Sequence, residues 1–532
     1  MKFMCFQKIM RLLSKIKTKK ITTKGTTTLI TIFIFFIFST LSLSLIYFTR
    51  IQLKLSSYKK NSITLEYASE NGIKKTYHSL LDILAKCPSP LILTEEETNE
   101  LKENALKNGI MVVKKLTGTD FPVVYSGTWE KMEWKCINSF HPQKTVIKDG
   151  YFKSSFITTI ESEGKLNHFF QKKNSTFKAS LEILAGTIPL SFFPLLIDKK
   201  LDSKEKENYI EKNNIKITSQ EDETENSKIS FSEGELIPDN ADSLLSKTLK
   251  IDKFYPQNCS NAMLREALGL KKTEDPIPEG VYLIKDDLGL GGIFVQGDLE
   301  ELVLAIEDDF QVVSFTSEKG NWILKFNPVR GETVFTTPEE THYYDLIPLG
   351  IIYINGKILS LGGGTIDKTG NITLAKEKDL PSILKGINLT IVSSDEIHLS
   401  SHLIHQGVRW SEGVPYIKDK RSNLSIFSTG NGLFDPKETK SHIIIDKDSP
   451  EDITIQASLT SRENGLSIEG KKKEVHILGS LHTSDISSGK NKLNIYFTNQ
   501  EIKGKIQDSQ VPKTTNPVLY MSSFQIQSWE EF

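Results

Sequence analysis

Three histidines, His398, His402 and His405, fall within the stretch "IHLSSHLIHQ" of a chain that holds only ten. Imidazoles at that density could ligate a metal or relay protons. The β-branched residues around them favour a strand, in which His398 and His402 share a face and His405 points the other way. Strand residues four apart are about 13 Å from each other, too far to hold one metal ion. His442, His476 and His482 could join only from neighbouring strands. The expectation is surface-facing polar positions and no metal site.

Carboxylates give a similar answer. Asp308–Asp309 and Asp395–Glu396 are the candidate pairs for glycosidase-like acid/base chemistry. Adjacent strand residues point to opposite faces, so neither pair makes a dyad. The glycine clusters "LGLGG" (288–292) and "LGGGT" (361–365) lack both the GxGxxG spacing and the GK[ST] ending of phosphate loops, and read as turn glycines. GxSxG, HExxH and CxxC do not occur. The sequence therefore predicts no catalytic, cofactor-binding or metal-binding residue, no cofactor, and no enzyme activity. A net charge of −1, from 66 basic and 67 acidic residues, gives no basis for nucleic-acid binding.

The elements that would carry any such site begin with the segment "KGTTTLITIFIFFIFSTLSLSLIYFTR". Leu29 to Phe48 is a run without charge that spans about 30 Å as a helix, the thickness of a bilayer core. It is longer than a secretory h-region and no A-x-A-like site follows. A retained membrane helix is expected, with a cleaved signal as the alternative. Lys2, Lys8, Arg11, Lys15, Lys17, Lys19, Lys20 and Lys24 precede the helix, and the first acid is Glu66. That asymmetry places residues 1–25 in the cytoplasm and everything after the span in the periplasm or outside the cell.

The same segment resembles a type IV prepilin-like N-terminus, which has a basic leader, a glycine at the cut and an unbroken apolar helix. The resemblance implies cleavage by a prepilin peptidase after Gly25, with Thr26 as the new N-terminus. Ile30 stands where major pilins carry a glutamate, which points to minor-pilin-like assembly proteins. Partners would be membrane lipid and other pilin-like subunits, met through residues 26–60. A signal-anchor without cleavage is the alternative.

Residues 26–86 are expected to form the membrane helix and an amphipathic stalk, whose apolar stripe runs through Ile63, Tyr67, Ile73, Tyr77, Leu80, Leu81 and Leu84. "CPSP" at 87–90 ends it. Residues 87–197 read as a small α/β module. Thr94 and Glu97 form a capping box for a helix with Leu101, Ala105, Ile110 and Val113 near one face, and the β-rich stretch 121–192 follows. Of the four cysteines, Cys87 and Cys136 could bridge outside the cytoplasm; three unbridged thiols are the alternative. Residues 198–250 are charged and poor in large apolar residues, which predicts a flexible linker. A short helix is expected over 261–270.

Residues 251–510 hold about fifteen short apolar alternations punctuated by Gly, Asn, Asp and Ser, and 511–532 reads as a C-terminal tail. The fold class is α+β and mostly β, with a right-handed parallel β-helix-like solenoid in this part and a β-sandwich as the alternative. Residues 349–485, from "LGIIYINGKILSLGG" through "LTIVSSDEIHLSSHLIHQGV" to "VHILGSLHTSD", are also similar to a solenoid-like domain of unknown function in bacterial envelope proteins. This implies architecture and location, not an activity. The combined expectation is a non-catalytic envelope protein, with a membrane-anchored carbohydrate-binding or carbohydrate-cleaving β-helix protein as the alternative.

Overall fold

The computed structural model describes residues 26–85, 90–107, 111–112, 114–115, 124–129, 132–148, 150–166, 172–219, 229–232, 236–237, 242–251, 260–286, 289–411, 414–417, 422–430, 440–497 and 513–531. Strand accounts for 47% and helix for 24%, so the chain is α+β and mostly β. Gly25, Cys5, Cys87 and Cys259 lie outside the described residues, as do Ile110 and Val113. Cys136 is a free, buried thiol.

Helix α1 (Thr26–Ala85) is one unbroken helix, about 90 Å long. Its first part is exposed on every side. From Leu65 onward one face is buried against an antiparallel half-barrel. The strand order there is Leu91–Ile92, Val518–Glu531, Lys172–Gly186, Tyr151–Leu166, Met132–Ile147, Val124–Trp129. Alternating side chains of these strands point inward, as a period of two requires. Trp134, Cys136, Ile160, Phe177 and Ala179 meet α1 around Ile73. The same face continues through Phe140, Phe152, Phe156, Leu181 and Ile183 to helix α2 (Glu95–Lys107), which buries Leu101 and Ala105. The expected capping box is present: Thr94 N–H donates to Glu97 Oε2 (2.9 Å), and Glu97 N–H donates to Thr94 Oγ1 (3.2 Å).

The face of α1 that docks differs in part from the expected stripe. Of that stripe Ile63 and Tyr67 are exposed, while Ile73 is buried and Tyr77 packs beside it against Phe177; Leu65, Ala68, Ser69, Gly72 and Thr76, outside the expected stripe, are buried as well. Small and hydroxylated residues let the helix approach the strands closely. Ser69 Oγ donates to the Ser162 carbonyl and lies 2.9 Å from Ser175 Oγ.

The second part is built from three stacks of mostly parallel strands. In the first, Ile293, Ile352, Ile391, Ile426, Leu459, Leu481 and Leu195 pair one above the next. In the second, Leu302, Leu361, Leu399, Ile445 and Ile468 do so. In the third, Ile455, Ile477, Ile495 and Ile217 do so. All belong to one continuous apolar core, and each fully buried Leu or Ile contributes about 1.5–3 kcal/mol.

Further strands extend the stacks at both ends. At one end the antiparallel strands Phe310–Ser317, Gly320–Asn327, Glu332–Thr336 and Thr341–Tyr344 add Phe315, Trp322, Leu324, Phe326 and Phe335 to the core. At the other end Leu195–Ile197 and Ile215–Ser219 add a layer, with helix α3 (Ser203–Lys212) between them in sequence, and Ile229–Phe231 pairs beyond Leu195–Ile197. Tyr209 Oη of α3 donates to Asp485 Oδ1 (2.7 Å) and accepts from Ile486 N–H (2.6 Å). Helices α4 (Asp242–Leu249) and α5 (Asn261–Ala267) cover the outside of the first stack at Phe294, Tyr353, Val392 and Phe427.

Two segments thus differ from their sequence reading. Within 198–250, expected as a linker, the described residues supply a layer of the stacks. Ile215, Ile217, Ile229 and Phe231 are few, but one inward face needs no more. Residues 518–531, expected as a tail, form a strand inside the half-barrel, between Leu91–Ile92 and Lys172–Gly186. Tyr151, Leu184, Val518 and Tyr520 of the half-barrel share a core with Phe193, Leu196 and Leu236 at the end of the first stack.

Candidate functional site

The histidine-rich stretch does not form one strand. Ile397–Leu399 is a short strand of the second stack, and the chain then turns at Ser400–Ser401. His398 faces outward with Nδ1 2.8 Å from Asp446 Oδ1, and Ser400 Oγ donates to the other oxygen of that carboxylate. The carboxylate, not the imidazole, contacts the hydroxyl, so the three residues do not stand in the serine–histidine–aspartate order in which the imidazole takes the hydroxyl proton. The bond to Asp446 raises the His398 pKa above its usual value.

His402 and His405 are buried, contrary to the surface positions expected. His402 Nδ1 accepts from Thr454 N–H (3.1 Å), and His405 Nε2 donates to the Gln456 carbonyl (2.6 Å). His442 lies 2.8 Å from Ser467 Oγ. His482 is buried at the junction of the two parts. Its Nε2 donates to the Phe193 carbonyl (3.1 Å) and its Nδ1 accepts from Thr460 Oγ1 (2.9 Å). The structure therefore disperses the six histidines among different partners. Among the described residues no group of three or more His, Cys, Asp or Glu could hold a metal ion.

Neither carboxylate pair converges. Asp308–Asp309 is the turn between the hairpin strands Glu301–Glu307 and Phe310–Ser317. Asp395 Oδ1 accepts the backbone N–H groups of Glu396 and Lys440, while Glu396 pairs with Lys357 at 3.3 Å. The clusters read as turn glycines lie largely within strands Gly289–Gln296 and Ile358–Ile366 instead. A Cβ at Gly363 would come within 2.6 Å of the His402 carbonyl, so close backbone packing explains it.

The most convergent polar group lies on the outer surface of the third stack. His476 Nε2 is 3.2 Å from Asp452 Oδ1, and its Nδ1 is 3.2 Å from Tyr496 Oη. The two rings stack at 5.8 Å and 22°. Asn494 Nδ2 donates to Glu474 Oε1 (3.0 Å), and Lys378 pairs with Asp452 at 2.6 Å. Burial lowers the His476 pKa, with the neighbouring Asp452 opposing. Sequence reading named His476 but missed Asp452, Tyr496 and, beside His398, Asp446. The signal was the layer repeat, which sets Asp452 against Glu474 and His476 against Asn494.

The other candidate is the bare part of α1. Leu29 and Phe48, the ends of the expected span, are 70% and 51% exposed. Among the described residues this one helix is long and apolar enough to cross a membrane, and none of them buries its apolar window. No family model matches the chain, and neither any curated protein nor any solved structure matches it.

The buried histidines make stability fall in acid. Burial pushes His405 and His482 down to about 4, below the unfolded value near 6.5. Between these values the unfolded chain binds protons that the folded chain refuses. Stability is therefore lost as pH falls from about 6.5 toward 4, by up to roughly 3 kcal/mol for each histidine. His398 acts in the opposite sense, its contribution being lost as pH rises, but His402, His442 and His476 are also lowered. The melting temperature is expected to be lower at pH 4.5 than at pH 7.5, and the difference to shrink in a His405→Gln/His482→Gln variant. An unchanged difference assigns the acid response elsewhere.

Proposed function

We propose that the chain is a non-catalytic, single-pass envelope protein with a minor-pilin-like N-terminus and a right-handed parallel β-helix-like solenoid displayed outside the cytoplasm. The observation that carries this reading is the continuity of α1. One helix runs from a bare apolar span into the half-barrel, so the anchor and the head share a single element. The basic residues before it favour a cytoplasmic N-terminus. Three parallel stacks around one apolar interior support a solenoid over a β-sandwich. The commitment of histidines and carboxylates to internal hydrogen bonds supports a structural role.

On this reading membrane lipid surrounds Leu29–Phe48, pilin-like subunits pack along residues 26–60, and a prepilin peptidase cuts after Gly25. Alkaline carbonate washing is expected to leave the chain in the membrane fraction, and mass spectrometry of the mature protein to find Thr26 at its start. An intact Met1 would leave a plain signal-anchor. A start beyond Ser44 would remove the anchor and the reading with it.

The stacked Tyr496–His476 pair beside Asp452 and Glu474 favours a second reading, carbohydrate binding on the third stack. Retention on an immobilised polysaccharide that is lost in Tyr496→Ala would support it.

A further inference from the structure

The apolar face of α1 continues past the boundary of the bilayer. If Phe48 marks the end of the hydrocarbon core, Leu55 stands about 10 Å and Tyr58 about 15 Å beyond it. The headgroup layer adds only about 5–7 Å per leaflet. Yet Ile51, Leu55 and Tyr58 are 38%, 60% and 52% exposed, and the first buried residue of α1 is Leu65. Spacings of four and three place Ile51, Leu55 and Tyr58 on one narrow seam. At about 100° per residue that seam is in line with Leu65, Ser69 and Thr76. The half-barrel covers this face from Leu65 onward and leaves it bare before that point.

Charge surrounds the seam. Arg50 and Lys54 border one edge and Lys59 the other, all exposed, and no acid precedes Glu66. A parallel second copy would set Lys54 against Lys59 of its mate, and like charges at such flanking positions disfavour pairing. With the hydrocarbon core ending at Phe48, the bilayer does not reach Tyr58. We propose that Arg50–Ser62 of α1 is a docking seam for a membrane-anchored partner helix with an apolar stripe and acidic flanks, rather than for a second copy of this chain. This rests on the membrane-anchor reading of α1.

The test uses the full chain in phosphatidylcholine nanodiscs, with insertion scored first by carbonate extraction. The probes are two synthetic amphipathic peptides with the same leucine stripe, one flanked by glutamates and the other by lysines. The glutamate peptide is expected to bind about tenfold more tightly, the order that three exposed charge pairs supply. The preference should shrink with added salt and reverse in Arg50→Glu/Lys54→Glu/Lys59→Glu. Leu55→Ser/Tyr58→Ser should weaken both peptides. Equal binding of the two peptides in the inserted protein overturns the seam alone. So does close pairing of spin labels at position 55 between copies, or quenching of such a label only from within the lipid. A chain that fails to insert overturns the seam and the anchor together.

Discussion

Replacing Gly72 with leucine lifts α1 off the half-barrel and destabilises the head by several kcal/mol. A Cβ at this position would come within 2.6 Å of Ser162 Oγ, 2.9 Å of Trp134 Cε3 and 3.1 Å of Cys136 Sγ. These are side-chain atoms of two paired strands, Met132–Ile147 and Tyr151–Leu166, packed in a filled interior, so a leucine here forces them to repack or the helix to move. Overpacking of this kind costs about 1–3 kcal/mol, and the burial of Leu65, Ala68 and Ile73 is lost in addition if the helix separates. The sign is diagnostic. In a helix that touched nothing, replacing glycine by alanine or leucine would stabilise by up to about 1 kcal/mol. The expected readouts are a lower melting temperature in Gly72→Leu and a smaller drop in Gly72→Ala. Cys136, which is fully buried and has its pKa raised by that burial, should become reactive to a thiol reagent in Gly72→Leu without denaturant. A melting temperature that stays the same or rises would mean that α1 is not seated on the strands.

Deleting residues 513–532 is expected to unfold the half-barrel while sparing most of the stacked strands. The strand Val518–Glu531 pairs on both sides, with Leu91–Ile92 and with Lys172–Gly186. Val518, Leu519 and Tyr520 are buried, and Tyr520 packs its ring 4.6 Å from that of Phe193 at the end of the first stack. Burial of three large side chains contributes roughly 5–9 kcal/mol, comparable to the whole stability of a typical domain. Hydrogen exchange should show protection lost over residues 132–186 and kept over 443–478, where the ladders depend on neighbouring layers. Protection unchanged over 132–186 would assign the stability of the half-barrel to its other strands.

Much of this architecture is written locally. The capping box at Thr94 and Glu97 needs only residues three apart, and the charge-free run Leu29–Phe48 needs only its own composition. The short alternations after residue 280 announce strands because period two is a property of adjacent residues. The candidate site was less legible. Sequence named His398 and His476, but their partners Asp446 and Asp452 are 48 and 24 positions away, at distances set by loops whose lengths vary from layer to layer. The face of α1 that docks was read only in part, through Ile73 and Tyr77, for a related reason. Ile63 and Tyr67 are the more apolar residues, but a helix lying close on a sheet selects small ones, and Gly72 and Ser69 carry the contact.

By itself, then, the sequence determined the long apolar helix, the boundaries of many strands and the predominance of β structure, because hydropathy, capping and alternation act between neighbours. Only the tertiary structure decided that Leu195–Ile197 and Ile215–Ser219 lie beside strands nearly three hundred residues later, and that residues 518–531 return to the first sheet. Strand partners are chosen by which edge is free and which apolar face is uncovered once everything else has packed. That choice depends on contacts across the whole chain, and no local pattern records it.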